Sequence, residues 1–78
     1  MSKILSRDLS CTHELQLVFI ATRDNAAKVG QILQDTPEVT YSLWDKDDGK
    51  WRISIQSESY DDIEECEAKL VNAIEAVS

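Results

Sequence analysis

The chain is poor in the residues from which most catalytic and metal sites are built. It has one histidine, two cysteines and two glycines among 78 residues. We find no nucleophile beside a general base, no glycine-rich phosphate loop and no cluster of histidine and cysteine. The sequence therefore predicts a protein that is not an enzyme and that needs no cofactor and no metal ion.

Long apolar runs and an excess of basic residues are also missing. No segment stays apolar for the length of a membrane-spanning helix, and the first ten residues lack the apolar core of a signal peptide. Eight basic residues stand against fifteen acidic ones, a net charge of −7. Phosphates and anionic lipids both require lysine and arginine, so we expect no direct nucleic-acid binding and no membrane binding. We expect a cytoplasmic protein with reduced cysteines, whose charge permits a basic protein partner.

What is present is one small globular domain, since 42% of the residues are hydrophobic. Its plainest feature is a β-hairpin over residues 39–57, where two runs of alternating apolar residues flank an Asp-Gly turn. A three-residue loop, 47–49, brings both apolar sets to one face, with Gly49 in the left-handed conformation. This register sets Leu43 opposite Ile53 and Lys46 opposite Lys50.

The same register sets Trp44 opposite Arg52 on the other face of the hairpin, among small polar residues. We expect a cation–π contact between them. Two interpretations of Trp44 remain open. The N-terminal segment covers it, or it is a contact residue for a partner or a second subunit.

Three further segments have clear patterns. Residues 14–22 predict a strand that is apolar on both faces in its middle. Residues 25–34 predict a helix capped by Asp24, and residues 60–77 a longer helix capped by Ser59 with Cys66 on its apolar stripe. Residues 1–13 are weakly patterned and form an N-terminal extension. A short edge strand, a turn of helix and a cover for the sheet are all compatible with them.

Together these elements predict an α+β fold, a two-layer βαββα sandwich over residues 14–78. Its mixed three-stranded sheet has the order 1-3-2, with both helices on one face. The predicted helix-side residues of the sheet are Leu15, Leu17, Phe19, Tyr41, Leu43, Ile53 and Ile55. The predicted open face carries Val18, Ile20, Trp44 and Arg52. A homodimer through Val18, Ile20 and Trp44 would cover that face.

Residues 19–78 resemble ACT domains, which are small regulatory domains of the ferredoxin-like class. The resemblance lies in the pattern of FIATRDNAAKVGQILQDTPEV, TYSLWDKDDGKWRISIQS and YDDIEECEAKLVNAI, and it covers about three-quarters of the chain. It implies binding of a small ligand, often an amino acid, near the loop that holds Arg23, Asp24 and Asn25. It also implies that the protein acts as a dimer.

The C-terminal helix carries most of the net charge. Residues 57–78 hold seven acids and one base, a net charge of −6. The acidic side is either a solvated helix face or a binding face for a basic partner. The predicted partner-binding residues are Asp61, Asp62, Glu64, Glu65 and Glu67, with Trp44 and Arg52.

Two functions from different classes follow. The first is a non-enzymatic interaction factor, an inhibitor or adaptor that binds a basic protein. In its sharper form the helix carboxylates, together with Asp47 and Asp48, act as a DNA mimic toward a nucleic-acid-handling protein. The alternative is an ACT-like ligand-binding regulatory domain that works as a dimer.

Overall fold

The structure is a computed structural model that describes residues 3–47 and 49–76. Four strands and two helices form an α+β fold in which every hydrogen-bonded pair of strands is antiparallel. The sheet order is β1-β2-β4-β3. In chain order the elements are β1 (Ile4–Ser10), β2 (Glu14–Ile20), α1 (Arg23–Gln34), β3 (Thr40–Asp47), β4 (Lys50–Gln56) and α2 (Tyr60–Ala76).

The prediction of a mixed, three-stranded sheet is wrong in the number of strands, and the sheet is antiparallel rather than mixed. Residues 4–10, which the sequence leaves as an extension, form the edge strand β1 beside β2. The predicted order of the other three strands is retained, because β4 lies between β2 and β3. Strands β2 and β3 run in the same direction, but they are not neighbours, so all neighbouring pairs are antiparallel.

The core lies between the sheet and both helices. Alternate residues of β2 pair with alternate residues of β4 on one face, and the two helices cover this face. Tyr41 lies on this face opposite Ile55, as predicted, but the helices leave it 40% exposed, because β3 is an edge strand. The buried core residues are Leu15, Leu17, Phe19, Val29, Leu33, Val39, Ile53, Ile55, Ile63, Cys66, Leu70 and Ile74.

The hairpin of β3 and β4 follows its predicted register over most of its length. Leu43 lies opposite Ile53, Trp44 lies opposite Arg52, and Gly49 has a φ of 78°. The predicted pair of Lys46 and Lys50 is wrong. A bulge between residues 45 and 47 moves Lys46 out of register, so that residue 47 pairs with Lys50. Of the predicted loop, Asp48 lies outside the described residues.

Of the two predicted helix caps, one is wrong and the other is confirmed. The N-cap of α1 is Thr22, whose hydroxyl accepts a hydrogen bond from the Asn25 amide at 3.2 Å. Asp24, the predicted cap, lies inside the first turn of the helix. The hydroxyl of Ser59 accepts from the Asp62 amide at 3.4 Å, so Ser59 caps α2 as predicted. Val77, the last residue of the predicted helix, lies outside the described residues.

The two glycines should respond in opposite ways to the same added methyl group. At Gly30 of α1 a Cβ would lie 3.6 Å from Leu43 Cδ2, an ordinary contact. We expect Gly30→Ala to raise the free energy of unfolding by about 0.5–1 kcal/mol, because alanine favours helix. Gly49→Ala should lower it by about 1–2 kcal/mol, because its φ of 78° disfavours a side chain. Urea unfolding of both variants checks this, and a loss on Gly30→Ala would contradict it.

The two cysteine thiols should differ in their accessibility to a thiol reagent. Cys11 is exposed and Cys66 is buried, so a thiol reagent should modify Cys11 in the native protein and Cys66 only after unfolding.

Burial raises the pKa of the Cys66 thiol, Glu38 raises it further, and Lys69 opposes this. The thiol form therefore stabilises the folded state fully at neutral pH. The stability should fall as the pH rises from about 8.5, the ordinary thiol pKa, through the higher pKa of the folded state. Denaturant unfolding at several alkaline pH values should show a smaller loss of stability for Cys66→Ala than for the wild type. An equal loss in both proteins would contradict this.

Candidate protein-interaction surface

Helix α2 separates its apolar stripe from its acids by helical periodicity. Ile63, Cys66 and Leu70 face the core, which turns the residues between them outward. Asp61 and Asp62 lie in the first turn, where carboxylates interact favourably with the helix dipole. Three of the exposed carboxylates of α2 form what we term the acidic helix face, which consists of Asp61, Glu64 and Glu65.

These three residues lie on one side of the helix, because spacings of three and four residues bring side chains together. With Ala68 they line a shallow depression of about 380 Å³. Among the described residues, none of the three carboxylates takes part in a side-chain hydrogen bond or an ion pair. Apart from the longer-range attraction between Glu64 and Arg7, their charges are left to the solvent or to a partner.

Two of the five predicted acids have other surroundings. The Glu67 carboxylate accepts hydrogen bonds from Nε and Nη2 of Arg7, the second at 3.0 Å. Only 15% of the Glu67 side chain is exposed. This bond raises the pKa of Arg7, and nearby Glu64 adds to the effect. Asp62 is half-buried beside the Ser59 cap. The sequence contains no local sign of the Arg7 contact, because the two residues are 60 positions apart.

The open face of the sheet holds the other two predicted site residues. The Arg52 guanidinium carbon lies 6.0 Å from the ring centroid of Trp44, as the predicted register requires. Trp44 is 40% exposed. Because β1 pairs at the far edge of the sheet, it does not cover Trp44. The Nε atom of Arg52 is buried and has no hydrogen-bond partner within the described part of the chain.

The apolar neighbours on this face are few. Val18 lies opposite Arg52 and is half-buried, and Ile20 is 45% exposed. The rest of the central strands is polar here. For example, the Ser54 hydroxyl donates to Glu14 Oε2 at 2.7 Å. The face therefore presents separated apolar side chains within a polar surface.

His13 has a contact that the sequence does not signal. It occupies the turn between β1 and β2 with a φ of 61°, and its ring stacks on Tyr60 at 4.0 Å. The Tyr60 hydroxyl donates to the Ser10 carbonyl at 3.3 Å. These contacts join the first hairpin to the start of α2. Beside them is an open depression of about 540 Å³, whose lining includes Glu38 and Glu58.

The loop that the ACT resemblance singles out is occupied by the start of α1. Thr22 and Asn25 form the helix cap, and Arg23 is exposed. Arg23 stands at one end of a groove of about 350 Å³ between α1 and β3, which we term the α1–β3 groove. Its apolar lining includes Ala27, Gly30 and Leu43.

The described ranges hold neither a metal-binding cluster nor a membrane-spanning helix. No three side chains among histidine, cysteine, aspartate and glutamate come together in a way that would hold a metal ion. No helix there has the length and apolar character to cross a membrane.

The ion pair of Arg7 with Glu67 should hold β1 on α2. We expect Arg7→Met to lower the free energy of unfolding by about 0.5–1 kcal/mol at low salt, the upper part of the range for exposed pairs, because the contact has two hydrogen bonds. Arg7→Lys should fall between the wild type and Arg7→Met, since lysine lacks the planar fork. Denaturant unfolding at low and high salt measures this, and the difference should shrink as salt screens the pair. Equal stabilities at low salt would show that the pair contributes nothing.

Comparisons with known proteins find no counterpart for this arrangement. No family model matches the chain, no curated protein matches it, and no solved structure matches it. Its function therefore has to be inferred from its own residues.

Proposed function

We propose that the protein is a small, non-enzymatic interaction factor, an inhibitor or adaptor, that binds a basic protein partner through the acidic helix face. The observation that carries the proposal is the unpaired state of Asp61, Glu64 and Glu65. These three exposed carboxylates lie side by side, and no described basic side chain forms an ion pair with them. Glu67 flanks them but is bonded to Arg7, so it limits the face on the side of β1.

The shape of the depression supports a basic side chain as the contact. Ala68 leaves room between the carboxylates. The aliphatic stem of a lysine or arginine would pack on this alanine while its charged end meets the acids. Arginine fits best, because its fork bonds two carboxylate oxygens at once.

The sharper form of the proposal concerns the kind of partner. A row of carboxylates offers a nucleic-acid-handling protein the same charge as the phosphates that it normally binds. Electrostatic attraction would then steer the two proteins together, and their affinity would fall steeply as the salt concentration rises. The acidic helix face would compete with nucleic acid for the basic surface of the partner.

The main test is capture of partners by immobilised protein from a lysate of the source cells. The comparison is between the wild type, the double variant Glu64→Lys/Glu65→Lys and the matched control Asp8→Lys/Glu38→Lys. Both variants change the net charge equally, and Asp8 and Glu38 are exposed outside α2. The wild type and the control should retain basic proteins, and the Glu64/Glu65 variant should lose them. Washing at about 1 M salt, where the Debye length is about 3 Å, should release them.

Two results would separate the forms of the proposal. If the Glu64/Glu65 variant retains the same proteins, the acidic helix face is not the binding surface. For a captured partner, added duplex DNA should displace the protein if the carboxylates imitate phosphates. A partner that stays bound in excess DNA would contradict the mimic while leaving the interaction factor in place.

A further inference from the structure

The open face of the sheet carries the two basic residues of β4 at alternate positions. Lys50 and Arg52 point away from the helices, because the residues that alternate with them, Trp51 and Ile53, pack on the core side. Neither basic side chain forms a hydrogen bond or an ion pair with another residue of the described chain. Both positive charges on this face are therefore unpaired within the described ranges.

Arg52 differs from an ordinary surface arginine, because part of its guanidinium is shielded from water without a partner. Its Nε atom is buried and accepts no compensation from any hydrogen-bond acceptor in the described residues. A buried donor without an acceptor destabilises a folded protein, so folding alone disfavours this group. Such departures from complete hydrogen bonding are expected at functional sites, where a ligand supplies the missing partner.

The other arginine of the sheet shows which partner fits. Arg7 bonds the carboxylate of Glu67 through Nε and Nη2 together, the two-point geometry that a planar carboxylate matches. Arg52 has the same donors. The Glu14 carboxylate lies on the same face, but it accepts from the Ser54 hydroxyl and forms no ion pair with Arg52. A carboxylate from a partner would therefore complete Arg52 as Glu67 completes Arg7.

The distribution of charge also favours an acidic partner on this face. Residues 57–78 hold a net charge of −6 out of −7 for the whole chain, which leaves −1 for all the other residues. Helix α2, which holds most of the acidic segment, covers the opposite face of the sheet. The open face can therefore attract an anionic partner although the protein as a whole is acidic.

The spacing of the two cations suits an extended segment of chain. Alternate residues of a strand lie about 7 Å apart, and the same distance separates alternate side chains of an extended ligand. Two carboxylates at positions i and i+2 would therefore reach Lys50 and Arg52 together. Apolar side chains flank this row, since Ile20 lies opposite Lys50 and is 45% exposed. Trp44 lies opposite Arg52 on the other side and is 40% exposed.

We propose that the open face of the sheet binds an extended acidic segment of a partner protein, whose glutamates at alternate positions bond Lys50 and Arg52. The methylene groups of these glutamates pack on Ile20 and Trp44. The guanidinium of Arg52 lies 6.0 Å from the Trp44 ring centroid, the outer limit of a cation–π contact, so it can turn toward a carboxylate without losing a close contact. This surface goes beyond the proposed function, because it lies on the other side of the molecule from the acidic helix face.

The first test measures binding of a short fluorescent peptide in which glutamate alternates with serine. A matched peptide has glutamine in place of glutamate. Fluorescence anisotropy at low salt should show that the protein binds the glutamate peptide and not the glutamine peptide. Arg52→Met should weaken binding by about tenfold to a hundredfold, because a charge-assisted contact is lost. Arg52→Lys should fall between, since lysine lacks the planar fork. Arg23→Met removes the same charge from an exposed position of α1 and should bind as the wild type does.

Stability separates a binding role of Arg52 from a structural one. The urea midpoint of Arg52→Met should equal or exceed that of the wild type, because methionine removes the buried donor that has no acceptor. A lower midpoint together with an unchanged peptide affinity would make Arg52 a structural residue and overturn the proposal.

A second measurement does not depend on any variant. When the glutamate peptide is added, the NMR signals of the Arg52 Nε–H and the Trp44 indole N–H should shift. The indole N–H of Trp51 donates to the Ala21 carbonyl at 3.1 Å on the helix side, so its signal should stay unchanged. A shift of the Trp51 signal without one at Arg52 would contradict binding on the open face.

Other occupants of this face would give different results. Equal affinity for the glutamate and glutamine peptides overturns the proposal. So does tighter binding of single-stranded oligothymidylate, which would assign the face to nucleic acid. Self-association of the wild type that Arg52→Met abolishes, measured by light scattering, would assign the face to a second copy of the chain. The Glu64→Lys/Glu65→Lys variant should still bind the glutamate peptide, so this proposal and that of the acidic helix face fail independently.

Discussion

The pairing of β2 with β4 is the contact on which the rest of the fold depends. It sets Leu15 opposite Ile55 and Leu17 opposite Ile53, with all four side chains fully or almost fully buried on one face. Both strands lie inside the sheet, so their backbone groups pair on both sides. A slip of one residue would turn this whole apolar set toward solvent. Both helices are held by this face, α2 toward β1 and α1 toward β3.

The arrangement around this centre separates the surfaces of the molecule. Strand β1 closes one edge and brings Arg7 to Glu67, which removes one carboxylate from the acidic side of α2. The helix that carries the unpaired acids has its main sheet contacts with β1 and β2. The uncharged edge of β3 is at the other end of the sheet.

The parts that the sequence does not predict have identifiable physical causes. Ile4 and Leu9 both face the helix side, because they lie opposite Phe19 and Leu15. They are five positions apart, so no strict alternation contains both, and only the bulge after Ile4 brings them to one face. The same effect displaces Lys46 in the second hairpin. The sequence misplaces the cap of α1 by two residues, because Thr22 and Asp24 are both residue types that favour the N-cap position.

By itself the sequence determined the features that depend on neighbours along the chain. These are the register of Trp44 with Arg52, the left-handed Gly49, the Ser59 cap and the inward stripe of α2. Only the tertiary structure decided that residues 4–10 complete the sheet, that Tyr41 stays at an exposed edge and that Glu67 is bonded while Glu64 is not. Periodicity and turn chemistry act over a few residues, whereas these outcomes depend on contacts between distant segments. Arg7 and Glu67 meet across 60 positions only because β1 and α2 are placed on the same side of one core.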